Sequence, residues 1–145
     1  MTIKQISVFI ENKSGTVTQV LNLLGNAGIH LIASTIADTV DYGIFRLICG
    51  NSLKAYKLLR QAGLSVALSD VFALLLENRT GAAARAIDKL AAQGLNLTYF
   101  YSFPLAGKGV VVFRTDNYEK TREVIVLDKL TSITEEDLTL LANQS

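Results

Sequence analysis

The residues whose types and spacing could do chemistry lie in two loops. Glu11-Asn12-Lys13-Ser14-Gly15 and Glu77-Asn78-Arg79-Thr80-Gly81 share one order: acid, amide, base, hydroxyl, glycine. Each loop ends an apolar run and opens a helix-like run. A chain turning into a helix offers unpaired backbone N–H groups and a partial positive charge, which suits an anionic group. An asparagine amide both donates and accepts, so Asn12 and Asn78 can meet either sign of charge. The plain alternatives are loop asparagines bonded to their own backbone, with Lys13 and Arg79 as solvated charges. Catalysis is poorly served. No carboxylates pair at the spacing of an acid–base site, no nucleophile has a base beside it, and no phosphate-cradling loop is present. Glu11 and Glu77 are the repeated loop acids, and repetition points to structure rather than to asymmetric chemistry. His30 is the sole histidine and stands at a strand start. A metal site wants three or four ligands, so none is expected. Cys49, the one cysteine, reads as a small core residue in a reducing compartment.

The two loops belong to a longer repeat. Glu77 follows Glu11 at an offset of 66 residues (77 − 11), and Gly28/Gly94, Leu31/Leu97, Gly43/Gly109 and Asn51/Asn117 keep that offset without insertion or deletion. A register held across helix, strand and turn signals marks two copies of one module. In the first copy, Ile6, Val8 and Ile10 alternate as in a strand. Val17, Val20, Leu21 and Leu24 recur at helical spacing, and Gly28 is a helix stop. Ile29 to Thr39 reads as a second strand, Asp41-Tyr42-Gly43 as a hairpin turn and Ile44 to Cys49 as a third strand. Asn51 is an N-cap for a helix with Ala55, Leu58, Leu59 and Ala62 on one face. Leu64 to Leu68 is the fourth strand. The plan is βαββαβ, the ferredoxin-like arrangement.

The second copy follows with no Pro- or Gly-rich spacer, so strand four is expected to run straight into the run Val71 to Leu76. Ala83, Ile87 and Leu90 mark its first helix, and Gly94 caps it. Leu95 to Phe103 is an aromatic strand, Pro104 to Gly109 a turn, and Val110 to Arg114 the third strand. Asp116 and Glu119 have capping-box spacing with Asp116 as the cap, and Tyr118, Thr121 and Ile125 share a face. Val126 to Ile133 leaves room for a short last strand, interrupted by Asp128 and Lys129. Thr134-Glu135-Glu136-Asp137 begins a terminal helix backed by Leu138, Leu140 and Leu141. The division expected is 1–69 for the first module and 70–145 for the second with its C-terminal helix.

Composition narrows the class. Of 145 residues, 50% are hydrophobic, enough for a real core. Net charge is +1, from 14 basic and 13 acidic residues, which gives no electrostatic reason to expect nucleic acid or an anionic membrane. No apolar run reaches the ~18 residues of a membrane helix. The first residues alternate like a strand and lack a signal-peptide apolar region, so a cytoplasmic protein is expected.

Both copies resemble ACT domains, small βαββαβ modules that bind amino acids and regulate amino-acid metabolism. The resemblance rests on Val8-Phe9-Ile10-Glu11-Asn12-Lys13-Ser14-Gly15 leading to Gly28-Ile29-His30-Leu31, and on Leu74-Leu75-Leu76-Glu77-Asn78-Arg79-Thr80-Gly81 leading to Gly94-Leu95-Asn96-Leu97. The family usually has proline before the loop glycine, where Ser14 and Thr80 stand here. The likeness covers nearly the whole chain and leaves no room for a catalytic domain, as in stand-alone tandem ACT proteins. It implies an α+β fold: two modules side by side, one eight-stranded antiparallel sheet and helices on one face. It also implies a free amino acid bound at the seam between modules, with no cofactor. Carried onto this chain, the contacts fall on Asn12, Lys13, Ser14 and Gly15, on Asn78, Arg79, Thr80 and Gly81, and on the strand-two starts Ile29, His30, Leu95 and Asn96. A zwitterion needs donors for its carboxylate and acceptors for its ammonium, and these loops and strand carbonyls supply both. A homodimer is expected, since such modules associate through sheets or helices.

Two other functions fit the same plan less well. RNA-recognition modules carry aromatics and a basic-Gly-aromatic pattern on the third strand. Neither Gly43-Ile44-Phe45-Arg46-Leu47-Ile48 nor Gly109-Val110-Val111-Val112-Phe113-Arg114 has it. The remaining alternative is a dimerisation or interaction module that binds no ligand.

Overall fold

The computed structural model describes residues 2–11, 13–38 and 42–143, with backbone alone at 13 and 14. Local chemistry sets the element ends. The order is β1 (Thr2–Ile10), α1 (Lys13–Asn26), β2 (Leu31–Asp38), β3 (Gly43–Cys49), α2 (Ser52–Gln61) and β4 (Val66–Glu77), then α3 (Ala82–Ala92), β5 (Leu97–Leu105), β6 (Lys108–Thr115), α4 (Tyr118–Leu127) and α5 (Glu135–Asn143). Gly28 and Gly94 close α1 and α3 with φ of 70° and 75°, a left-handed conformation that spares only glycine a Cβ clash. Asn51 caps α2 by accepting from the Lys54 N–H at 3.3 Å. Its repeat partner Asn117 caps α4 by accepting from the Lys120 N–H at 3.0 Å. The expected cap at Asp116 is therefore corrected by one residue. At α5, Asp137 N–H donates to Thr134 Oγ1 at 3.1 Å and Thr134 N–H to Asp137 Oδ2 at 3.2 Å, a reciprocal box.

The strands follow the order β2-β3-β1-β4-β6-β5 in a six-stranded antiparallel sheet. Eight strands were expected, and two physical facts account for the difference. Residues 66–77 form one strand, because the junction Ser69-Asp70 contains nothing that would end it. At the other place, α4 continues to Leu127 and Lys129 turns the chain with φ 52°. Only the isolated bridge Leu74↔Ser132 then remains, with Leu75 N–H donating to Thr131 O at 2.8 Å and Ile133 N–H to Ala73 O at 3.1 Å. Pro104 also moves from turn to strand. β5 ends the sheet order, where a residue lacking an N–H is tolerated, and Pro104 pairs with Gly109. The turn itself is Ala106-Gly107, both at positive φ, the geometry of a tight hairpin. Thr39 and Asp41, assigned to a strand and a hairpin turn, lie outside the described residues.

The chain divides into two compact units, Lys4–Asp70 and Val71–Ser145 with Met1–Ile3. Their cores match position by position at the repeat offset. In the N-terminal unit Ile6, Val8, Val20, Leu24, Phe45, Leu47, Ala55 and Leu59 are buried together. In the C-terminal unit the equivalents include Phe72, Leu74, Ala86, Leu90, Val111, Phe113 and Ile125. Volume is traded inside the pattern: where one unit has Ile6, Leu47 and Phe45, the other has Phe72, Phe113 and Val111. Cys49 is a buried member of the first core. Its equivalent Thr115 shares a hydrogen bond with Thr121, the equivalent of Ala55. Thr121 is fully buried and also donates to Asn117 O at 2.8 Å, so its burial leaves no hydroxyl unpaired. Leu21, assigned to the apolar face of α1, is exposed instead; Val20 and Leu24 carry that face.

Candidate functional site

The two loops fold differently. In the N-terminal unit α1 starts at Lys13, so Gly15 lies inside the helix, with open space where a Cβ would project. Asn12 and the side chains of Lys13 and Ser14 lie outside the described residues. In the C-terminal unit the equivalent stretch Arg79-Thr80-Gly81 is a turn, and α3 starts only at Ala82. Gly81 is the N-cap at φ 82°, and a Cβ there would stand 2.8 Å from Arg85 Nη1. Glycine is thus required by conformation, while the Arg85 guanidinium, at the end of a flexible side chain, could move aside. Being glycine, it provides no side-chain acceptor for the first turn of α3; Ala82 N–H bonds Arg79 O at 3.2 Å, and the next amides of the turn have no side-chain cap and suit an external anion.

This turn borders a pocket of about 420 Å³. Glu77, Asn78 and Arg79 form one rim, Ala82 and Ala83 bring the start of α3, and Ser102 to Pro104 of β5 form the opposite wall. Leu76 and Gly109 to Val111 form part of the lining. Arg79 Nε lies 3.2 Å from Glu77 Oε2, an exposed ion pair inside the rim. Arg79 N–H also donates to Glu77 O at 2.9 Å, which holds the turn closed. The site therefore holds one group of each sign, an amide, a hydroxyl and helix N–H groups around an apolar base. That set can take a small ion carrying both charges.

The strand-two positions lie elsewhere. Ile10 pairs with Gly43 while Leu31 pairs with Cys49, so the first loop and the start of β2 are at opposite ends of β3. The same holds in the C-terminal unit, where Glu77 pairs with Lys108 and Leu97 with Thr115. Six or seven residues of strand separate them, roughly 20 Å or more at ~3.3 Å each. Within one unit the two sets of predicted residues do not meet. Ile29 and Leu95 are buried in their cores, and their N–H groups bond Leu24 O at 2.9 Å and Leu90 O at 3.3 Å. His30 is exposed and lines a small cavity of about 230 Å³ with Gly28, Gly50, Asn51 and Lys54.

Asn96 is engaged by Asp116, the equivalent of Gly50. The Asn96 backbone N–H donates to Asp116 Oδ1 at 3.2 Å and its side-chain Nδ2 to Oδ2 at 3.1 Å. The Asn96 backbone and side-chain donors, in that order, hold the Asp116 carboxyl below its ordinary value. Sequence reasoning did not find Ser102, Phe103 or Pro104 as neighbours of the Asn78 loop. Pairing across β5 and β6 brings them there, and the only sequence signal was a proline inside an otherwise strand-like aromatic run.

A βαββαβ plan used twice in one chain, with two matched cores, defines a tandem α+β module. The chain belongs to the ACT domain pair family, whose model matches residues 1–142. Such pairs are typical of regulatory amino-acid-binding domains. The chain is similar to protein BT0572 from Bacteroides thetaiotaomicron, with 37% identity, a TM-score of 0.88 and 96% of each chain covered. It shares its fold with the regulatory subunit of aspartate kinase from Thermus thermophilus, at 14% identity, TM-score 0.59, and 86% and 91% coverage of the two chains. The same is true of aspartokinase alpha and beta subunits, at 18% identity, TM-score 0.56, and 84% and 88% coverage. No curated protein matches the sequence. Among the described residues no helix is long and apolar enough to cross a membrane.

Proposed function

We propose that this protein is a non-catalytic regulator that binds a free amino acid and acts as a cytoplasmic homodimer. The observation that carries the reading is the pocket at the glycine-capped start of α3. The ligand carboxylate would face the first-turn N–H groups of α3 and the Arg79 guanidinium, whose forked donors match a carboxylate. The ammonium would face the Glu77 carboxylate and Asn78 Oδ1. In the free protein Glu77 and Arg79 pair with each other; a zwitterion brings one partner for each. The apolar base, Leu76 and Val111, would receive the ligand side chain. Thr80 and Gly81 shape the turn. Ile29, His30, Leu95 and Asn96 lie at the far end of their own units from the loops, so they would take part only where another unit brings that end to the pocket. The loop of Asn12, Lys13, Ser14 and Gly15 is proposed as a weaker counterpart, since its helix starts three repeat positions earlier.

Regulation through such a site requires that the ligand bind one state of the protein better than another. Thermal unfolding with each of the twenty amino acids tests the reading. One or a few should raise stability, by about 2.7 kcal/mol at a hundredfold excess over Kd. A null result with all twenty would sink the ligand-binding proposal.

A further inference from the structure

Helices α2 and α4 occupy equivalent places in the repeat, yet their outer stripes are opposite in character. At the repeat offset Leu53, Lys57 and Gln61 correspond to Glu119, Glu123 and Leu127. Each set has four-residue spacing and lies along one helix face. Each also lines a shallow surface depression with neighbours from its own helix. Leu53 is 53% exposed, Val126 61% and Leu127 77%. A single exposed leucine needs no explanation, but apolar groups at the ends of matched stripes do. α2 carries Lys54, Lys57 and Arg60 and no acid, whereas the α4 face carries Glu119 and Glu123 around Arg122, with Lys120 directed towards Asp116 and Gly94. Arg122 stands three residues from Glu119, where its own helix can pair it.

We infer that α2 of one copy docks antiparallel on α4 of a second copy of this chain. Antiparallel alignment sets Leu53 against Leu127, Lys57 against Glu123 and Gln61 against Glu119. Apolar meets apolar, charge meets opposite charge, and the helix ends meet with opposed dipoles. Parallel alignment would set Leu53 against Glu119 and Gln61 against Leu127, which wastes both leucines. The inference rests on the homodimer in the proposed function and not on amino-acid binding.

Sedimentation equilibrium of the full chain tests it with two charge-reversed variants, Lys54→Glu/Lys57→Glu and Glu119→Lys/Glu123→Lys. Each alone should raise the dimer dissociation constant by roughly tenfold or more, as like charges now face each other. Mixed one to one, they should reassociate, because the acidic α2 of one meets the basic α4 of the other. That rescue would not occur if the substitutions had merely unfolded a helix. Leu127→Ser should weaken assembly with no change in charge. A dimer unaffected by either charge reversal overturns the docking surface and leaves the homodimer standing. Dissociation of both variants without rescue on mixing overturns the complementarity. A wild type that stays monomeric overturns the homodimer itself.

Discussion

Gly81 and Arg79 show how much of this protein's proposed activity depends on single residues. Gly81 holds the turn at φ 82° with Arg85 against it, so Gly81→Ala is expected to cost about 1–2 kcal/mol, read by urea denaturation. An unchanged midpoint would refute that account of the turn. Arg79→Ala and Asn78→Ala should each weaken amino-acid binding, with calorimetry as the measurement, while leaving stability within ~0.5 kcal/mol, since both are exposed. Asp116 makes a pH-dependent contribution. Its carboxyl is held low by donors from Asn96, so the charged form is favoured in the folded state. Its contribution is present above the ordinary carboxylate range and is lost as pH falls through the depressed value. Asp116→Asn should therefore be less stable than wild type near neutrality, with the gap closing as pH falls through and below the ordinary carboxylate range. A gap that stays constant across acid titration would exclude the clamp.

Elements gain their definition from a few capping and packing groups. Asn117, not Asp116, caps α4, so Asn117→Ala should cost ~1 kcal/mol through loss of the Lys120 N–H acceptor. Asn51→Ala should cost a comparable amount at α2, measured by the same denaturation. Leu138 is buried on α5, and Leu138→Ala should lower stability by about 2–5 kcal/mol. A small effect there would mean that α5 contributes little to the folded chain. The helix stops and the caps of α2 and α5 are legible in sequence because they depend on local backbone geometry and on side chains within three or four residues. The cap of α4 was misplaced by one residue because Asp116 had a competing partner, Asn96, twenty positions away.

At the scale of the molecule, β4 runs along the chain across the boundary between the two units. Its first half belongs to Lys4–Asp70 and its second half to the unit starting at Val71. Asp70→Pro removes an N–H from an interior strand and is expected to cost about 3 kcal/mol or more. Hydrogen exchange should then show lost protection along β4, and unchanged protection there would contradict a continuous strand. The repeat, the two cores, the helix count and the family resemblance could all be read from the sequence. Each depends on apolar periodicity and on glycine and asparagine at fixed spacing, which are properties of neighbours along the chain.

The loop around Glu77-Asn78-Arg79-Thr80-Gly81 was evident from its types alone, and so was its contrast with His30 and Asn96 at the strand starts. What only the tertiary structure decided was which residues stand together. Strand pairing sends the loop and the strand start to opposite ends of each unit, and it brings Ser102 to Pro104 against Asn78. It reduces the expected last strand to the bridge at Ser132. It also commits the Asn96 amide to Asp116. The physical reason is that sequence periodicity reports which face a residue prefers, while register between distant strands is fixed by hydrogen bonds and core packing that no local pattern contains.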